Sequence, residues 1–262
     1  VRYSDELVAF GSGVWLSSSN LSVVNVVVML CNHNVDDSTK TNQKHPLNIS
    51  CYKTFFFTSL SRWSYLMFLM VRHYQSSSNH IGLYGKVEGV LMIFQTGAVL
   101  EIVHCAIGIV PSNVVLTAFQ VFSRVFLVWG INYSVKESQD NVGFSMLLFA
   151  WTVTEIVRYS FYVTSLLGGV PYALLWVRYT FFLVLYPIGV SGELLCIYGS
   201  LPYVKKSNLY SYDLPNKYNI SFSYYIFLWV IMFSYIPIFP QLFGHMLKQR
   251  KKIIGGQREK TA

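Results

Sequence analysis

The chain has 262 residues, a formal net charge of +8, and 53% hydrophobic and 17% aromatic but only 12% charged residues. Those proportions exclude an ordinary soluble domain, in which charged side chains make up about a quarter of the sequence. They imply a protein that crosses a membrane several times.

Residues 1–53 resist a periodic reading. Val1 in place of an initiator Met predicts a fragment or a processed form, and nothing before Ser19 resembles a signal peptide. Leu21–Leu30 is a short apolar run, and Cys31–His45 is polar and aperiodic. Thr54–Val71 is apolar enough to span, yet Arg62 stands at its centre, where an unpaired cation is expensive. Joined directly, Ser22–Leu30 and Arg62–Tyr74 would make one span of ordinary length. Residues 31–61 are therefore expected to be an insertion, or else a loop that leaves Thr54–Val71 as the first helix.

Downstream the pattern is clear. Val90–Val110, Val114–Ile131, Gly143–Leu167, Tyr172–Tyr198 and Phe222–Phe243 are apolar runs of the length, about 20 residues, that crosses a bilayer core. Turn signals at Pro111–Asn113 and Gly168–Pro171 separate them. With one span upstream they predict an all-α fold, a polytopic membrane bundle of six transmembrane helices over residues 54–247, followed by a basic tail at 248–262. That tail sets Lys248, Arg250, Lys251, Lys252, Arg258 and Lys260 against Glu259, a net +5 of the chain's +8. The excess of cations predicts a cytoplasmic tail, and an even number of spans predicts a cytoplasmic N-terminus. A short basic run beside a membrane helix reads as a contact for anionic lipid headgroups and not as a nucleic-acid patch.

The motif search is mostly negative. Cys105 and Cys196 fall inside spans, Cys31 and Cys51 lie in the N-terminal region, and no pair has metal-ligand spacing. There is no zinc motif, Gly-rich phosphate loop or nucleophile elbow. Chemistry is left to polar groups inside the spans: Gln95, Glu101, His104, Gln120, Arg124, Glu155, Arg158, Arg178, Tyr186 and Glu193. Each has an ordinary role open to it, pairing across helices, as Glu155 would with an Arg of a neighbouring span. Tyr186 and Glu193 stand out, because seven residues turn through about 700° and place both on one helix face, about 10.5 Å apart along the axis. Pro187, Gly189 and Gly192 lie between them, and a kink there would bring both side chains to one substrate. Glu101 and His104, three residues apart, also share a face. They suit helix packing as well as they suit orienting the pair or lining a tunnel.

Four segments in order closely resemble the very-long-chain 3-hydroxyacyl-CoA dehydratases: Phe94–Ser112, Trp151–Tyr162, Leu185–Leu194 and Leu214–Asn219. The likeness runs from about Trp63 to Arg250. It implies a six-helix enzyme of the endoplasmic-reticulum membrane that catalyses the third step of fatty-acid elongation. The reaction removes water from a (3R)-3-hydroxyacyl-CoA to give the trans-2-enoyl-CoA, without metal or redox cofactor. By motif the family's catalytic pair falls on Tyr186 and Glu193. Glu101, His104, Glu155, Arg158 and Arg178 are candidate substrate-binding or supporting groups by their place inside the spans. The implied partners are the substrate, membrane lipid, and the elongase and reductases of the cycle, with no nucleic acid.

The residue types suit that chemistry. Dehydration needs a base for the weakly acidic proton alpha to the thioester and an acid for the departing hydroxide, and a buried carboxyl group can supply one of these near neutral pH. Glu193 as base and Tyr186 as acid, toward the hydroxyl or the thioester oxygen, is one assignment; the reverse fits the same residues. If the Gly168–Pro171 turn is cytoplasmic, Glu193 lies about 30 Å further along the helix from Tyr172. The pantetheine arm of a cytosolic CoA would then reach it through a tunnel between helices.

Three further readings are weighed against residues. His104-Cys105 followed by Pro111 is similar to a tyrosine-phosphatase signature, but proline stands where that signature needs Arg and brings neither a cation nor an N–H to a phosphate. A catalytically silent scaffold that binds elongation enzymes would need neither Tyr186 nor Glu193. A transporter would be expected to show paired, interrupted helices, and no such repeat is present. Asn-x-Ser sequons stand at Asn20, Asn48, Asn132 and Asn219. Six spans would put Asn132 and Asn219 in lumenal loops open to glycosylation.

Overall fold

The structure is a computed structural model that describes residues 46–106, 114–215, 219 and 221–261. Among these residues every named element is helical, and the only pairing of extended backbone is an isolated bridge between Tyr212 and Phe222. The chain divides into two units, Val1–Ser59 and Leu60–Ala262.

Helix α1 (Pro46–Ser76) begins in the first unit and ends in the second. Within the first unit Thr58 Oγ1 donates to the Thr54 carbonyl at 2.7 Å, the back-bond by which a threonine satisfies its hydroxyl inside a helix. The expected first span, Thr54–Val71, is the middle of this longer helix. Residues 31–45 of the expected insertion lie outside the described residues. In the second unit the Arg62 guanidinium lies 5.9 Å from the Phe94 ring centroid, so the cation at mid-span meets an aromatic face.

The run Val90–Val110 divides into α2 (Leu83–Gly97) and α3 (Val99–Ala106), parted at Ala98 next to Gly97, the poorest helix former of the run. Leu83, Val87, Leu91 and Gln95 recur every four residues and are all buried, which gives α2 one core-facing stripe. Helix α4 (Val114–Phe126) passes into a π-helical segment, Leu127–Tyr133, that carries the fully buried Asn132. Burial corrects one expectation: Asn132 is packed in the protein, accepting from Ser138 Oγ at 3.3 Å through its side-chain oxygen, and is not a loop acceptor for glycan. Asn219 is exposed, while residues 107–113, with the Pro111 that breaks the phosphatase signature, lie outside the described residues.

A single turn, α5 (Lys136–Gln139), leads to α6 (Val142–Leu166). Asn141 caps α6 by accepting from the Gly143 N–H at 2.7 Å, and its amide donates to the Leu195 carbonyl at 3.2 Å. Then α7 (Tyr172–Thr180) and α8 (Phe182–Ser207) follow almost without a break, since Phe181 keeps helical dihedrals and its carbonyl accepts from Leu185. The final helix, α9 (Tyr224–Thr261), is 38 residues long. At about 1.5 Å per residue it exceeds the roughly 30 Å of a bilayer core, so a bilayer crossed by this helix would leave one end of it outside the hydrocarbon.

Two stretches among the described residues are long and apolar enough to cross a membrane, Tyr172–Ser207 and Tyr224–Gly255. Only 6% of the apolar window of α9 is buried within the protein, which is unlike the core helix of a soluble fold. Ile226, Val230 and Phe233 follow at helical spacing and are 61%, 60% and 60% exposed. Such a stripe needs lipid or a partner against it.

Candidate active site

The site starts from a close approach of two helices. A Cβ added at Gly192 of α8 would stand 2.6 Å from the Leu147 nitrogen and 2.7 Å from the Gly143 oxygen of α6. One added at Gly143 would stand 2.6 Å from Leu195 Cβ and 2.7 Å from the Gly192 oxygen. Only hydrogen fits at these crossings, so the α6 and α8 backbones meet as small-residue seams allow in membranes. Ala150 and Gly189 extend the seam by one turn, with 3.3 Å between Ala150 Cβ and a Cβ built on Gly189.

That seam carries Trp151 to Glu193. The indole Nε1 donates to Glu193 Oε1 at 3.0 Å. Tyr235 of α9 donates its hydroxyl to Oε2 at 2.7 Å. Both carboxylate oxygens are thus held by neutral donors, one from each neighbouring helix, and each donor is 42 residues from Glu193. The Glu193 side chain is only partly buried.

Tyr186 lies two turns earlier on α8, which continues unbroken through Pro187. Its ring stacks on Phe239 with centroids 5.0 Å apart and planes 9° apart, and then on Phe243 at 6.1 Å. The stack fixes the ring plane through dispersion and quadrupole terms while leaving the phenol end free. Among the described residues nothing hydrogen-bonds the Tyr186 hydroxyl. The pairings Phe182 with Phe243, Tyr186 with Phe239 and Glu193 with Tyr235 climb α8 as they descend α9, so the two helices run antiparallel along the site.

A second cluster adjoins the first. Glu155, one turn after Trp151, is 1% exposed and forms ion pairs with Arg124 and, at 2.6 Å, with Arg158. Arg124 also lies over the Trp151 ring, 5.5 Å from its centroid. One continuous path therefore runs Arg158, Glu155, Arg124, Trp151, Glu193, Tyr235. Arg178 stands apart, its guanidinium 4.3 Å from the Phe161 ring centroid and 5.1 Å from that of Tyr162. The side chains of Glu101 and His104 lie outside the described residues.

Of the groups expected from sequence, the structure joins Glu155 and Arg158 and links them through Arg124 and Trp151 to Glu193. Tyr235 was missed, because one tyrosine among 19 carries no local signal. Trp151 belongs to a segment already marked by resemblance, yet its donor role follows only from the helix seam.

A family model described as protein tyrosine phosphatase-like protein, PTPLA, matches residues 95–256. The chain belongs to the PTPLA family. It is 57% identical over 197 residues to the very-long-chain (3R)-3-hydroxyacyl-CoA dehydratase 2 of Homo sapiens, an overlap covering 75% of this chain and 78% of that protein. It is 55% identical over 195 residues to the dehydratase 1 of Canis lupus familiaris, covering 74% and 78%. It is 49% identical over 179 residues to the dehydratase hpo-8 of Caenorhabditis elegans, covering 68% and 82%. No solved structure matches the chain. The PTPLA match includes α6, α8 and α9, the three helices that supply Trp151, Tyr186, Glu193 and Tyr235.

Proposed function

We propose that this PTPLA-family protein dehydrates very-long-chain (3R)-3-hydroxyacyl-CoA to the trans-2-enoyl-CoA, as the names of its relatives state for them, within the fatty-acid elongation cycle. The observation that carries the site assignment is Glu193, held by two neutral donors and paired on one helix face with a phenol whose hydroxyl is unengaged.

Glu193 takes the proton from C2 of the acyl chain and Tyr186 gives its phenolic proton to the hydroxyl on C3. The C2–H and C3–O bonds break, the C2–C3 double bond forms, and water leaves. Transfer of the proton from Glu193 to the tyrosinate, directly or through water, restores the resting enzyme. Trp151 and Tyr235 aim the carboxylate, and neither carries a charge that would neutralise it. Positioned acid and base groups of this kind contribute about 10²–10⁴-fold each.

The wider setting is part of the same reading: a six-span bundle in the endoplasmic-reticulum membrane with both termini in the cytoplasm, handling substrate passed on by the other enzymes of elongation. Residues 54–247 form the membrane domain and 248–262 the cytoplasmic end. Two long apolar helices and the basic end of α9 support this.

The test is turnover of a 3-hydroxyacyl-CoA series by purified protein in detergent. Glu193→Gln and Tyr186→Phe are each expected to lower kcat by about 10²-fold or more with an unchanged elution profile. Near-normal turnover in either variant removes that residue from the mechanism, and no turnover by the unaltered protein leaves the scaffold role.

A further inference from the structure

The antiparallel α8–α9 seam leads away from Glu193 to a cleft of about 270 Å³ lined by Tyr172 and Trp176 of α7 and by Arg250, Lys251 and Ile254 of α9. Its size is near the lower end of small-molecule sites, about 300 Å³. The two aromatic residues are largely uncovered, Tyr172 at 53% and Trp176 at 41% exposure. Arg250 Nε is buried with no hydrogen-bond partner. Among the described residues neither Arg250 nor Lys251 has a carboxylate partner. Two cations and two flat rings with unused capacity match one ligand chemistry: phosphate beside an aromatic heterocycle.

The location narrows the source. The cleft lies at the end of α9 that extends past a bilayer's thickness, where Trp and Tyr favour the interface and Lys and Arg the cytoplasmic side. From Trp176 the helix rises about 15 Å to Tyr186 and about 25 Å to Glu193, and from Arg250 α9 returns about 22 Å to Tyr235. A nucleotide in the cleft thus sits one extended arm away from the carboxylate, with the stacked rings of Phe243, Phe239 and Tyr186 along the route.

Resting on the dehydratase reading above, we propose that this cleft binds the 3′-phosphoadenosine diphosphate portion of the acyl-CoA. Trp176 and Tyr172 receive the purine, Arg250 and Lys251 the phosphates, and the pantetheine arm follows the α8–α9 seam inward. A lipid headgroup offers the same phosphate but no heterocycle for the exposed rings. Binding energy gathered at this distance from the reacting carbons serves to hold the thioester in place for Tyr186 and Glu193.

The test uses the full chain in nanodiscs of neutral phosphatidylcholine. The kcat/KM for a 3-hydroxyacyl-CoA is divided by that for the same acyl group on pantetheine, which lacks the nucleotide. Arg250→Gln/Lys251→Gln and Trp176→Leu should each lower this ratio about 10-fold or more, and free 3′-phospho-ADP should inhibit the unaltered enzyme at least about 10-fold better than either variant. An unchanged ratio and unchanged inhibition overturn the assignment. A loss that appears only when phosphatidylserine is added assigns the cleft to a lipid headgroup and overturns it equally. If the double variant does not fold, the exposed single change Lys251→Gln gives the same readout. Direct binding of 3′-phospho-ADP reads the cleft without turnover, so failure of the dehydratase reading, no reaction with either thioester, is told apart from failure of this one.

Discussion

Two carboxylates lie on neighbouring helices of this bundle and are treated in opposite ways. Glu155 is 1% exposed and answers to two guanidiniums, Arg124 and Arg158. Glu193 is partly open and answers to an indole N–H and a phenol O–H. A buried charge compensated by two cations is committed to holding helices together, because any change in its protonation would leave those half-buried guanidiniums without their counter-charge. A carboxylate held only by neutral donors keeps its direction without that commitment, so a proton can come and go. From residue type alone the two were equivalent; their partners separate a strut from the proposed site.

Exchanging the roles is the strongest way to break this contrast. Glu193→Gln should lower turnover by about 10²–10⁴-fold while the thermal transition in detergent stays near that of the unaltered protein. Glu155→Gln should do the reverse, destabilising by about 1–3 kcal/mol because the half-buried Arg124 and Arg158 lose their counter-charge, read as a lower melting temperature exceeding any loss of kcat in the folded fraction. Comparable loss of turnover with no loss of stability at Glu155 would end the distinction.

Smaller changes sharpen it. Tyr235→Phe removes one donor from the carboxylate, worth about 1.5–3 kcal/mol and so roughly 10–100-fold in kcat/KM, with little change in melting. A full-rate Tyr235→Phe enzyme would show that the 2.7 Å contact does not position Glu193 for reaction. Gly192→Ala should destabilise by about 1–3 kcal/mol through overpacking, since its new methyl would meet the Leu147 nitrogen and the Gly143 oxygen. Activity should fall along with it, as the seam that delivers Trp151 opens. Trp151→Phe keeps the ring under Arg124 but drops the N–H, with an expected loss in kcat/KM of about 1.5 kcal/mol, the low end for a bond to a charged group because its contact is the longer, 3.0 Å against 2.7 Å.

Much of the architecture was legible from apolar run lengths. Gly143–Leu167 differs by one residue at each end from α6, and Tyr172–Tyr198 is the beginning of the α7–α8 stretch. Run length failed where polarity does not mark the end of a helix. Helix α9 passes Pro237 and Pro240 and continues through the basic tail to Thr261, because lysine and arginine are good helix formers even where they end a membrane span. Asn132 was read as a loop residue because the expected span ends at Ile131, but the π-helical turn draws it inward.

For the site, local sequence determined the phenol–carboxylate pair. A spacing of seven puts Tyr186 and Glu193 on one face of any regular helix, and the resemblance around them marks their chemistry. Tertiary structure decided what surrounds them. Trp151 and Tyr235 reach Glu193 across 42 residues in either direction, a relation set by how closely α6 and α9 approach α8. The same packing sends Arg124 to Glu155 and leaves Arg250 and Lys251 with the rings of Tyr172 and Trp176. Helical periodicity is local and propagates along one chain segment, whereas a donor's identity depends on which backbones come within a few ångströms, and between α6 and α8 two glycines set that distance.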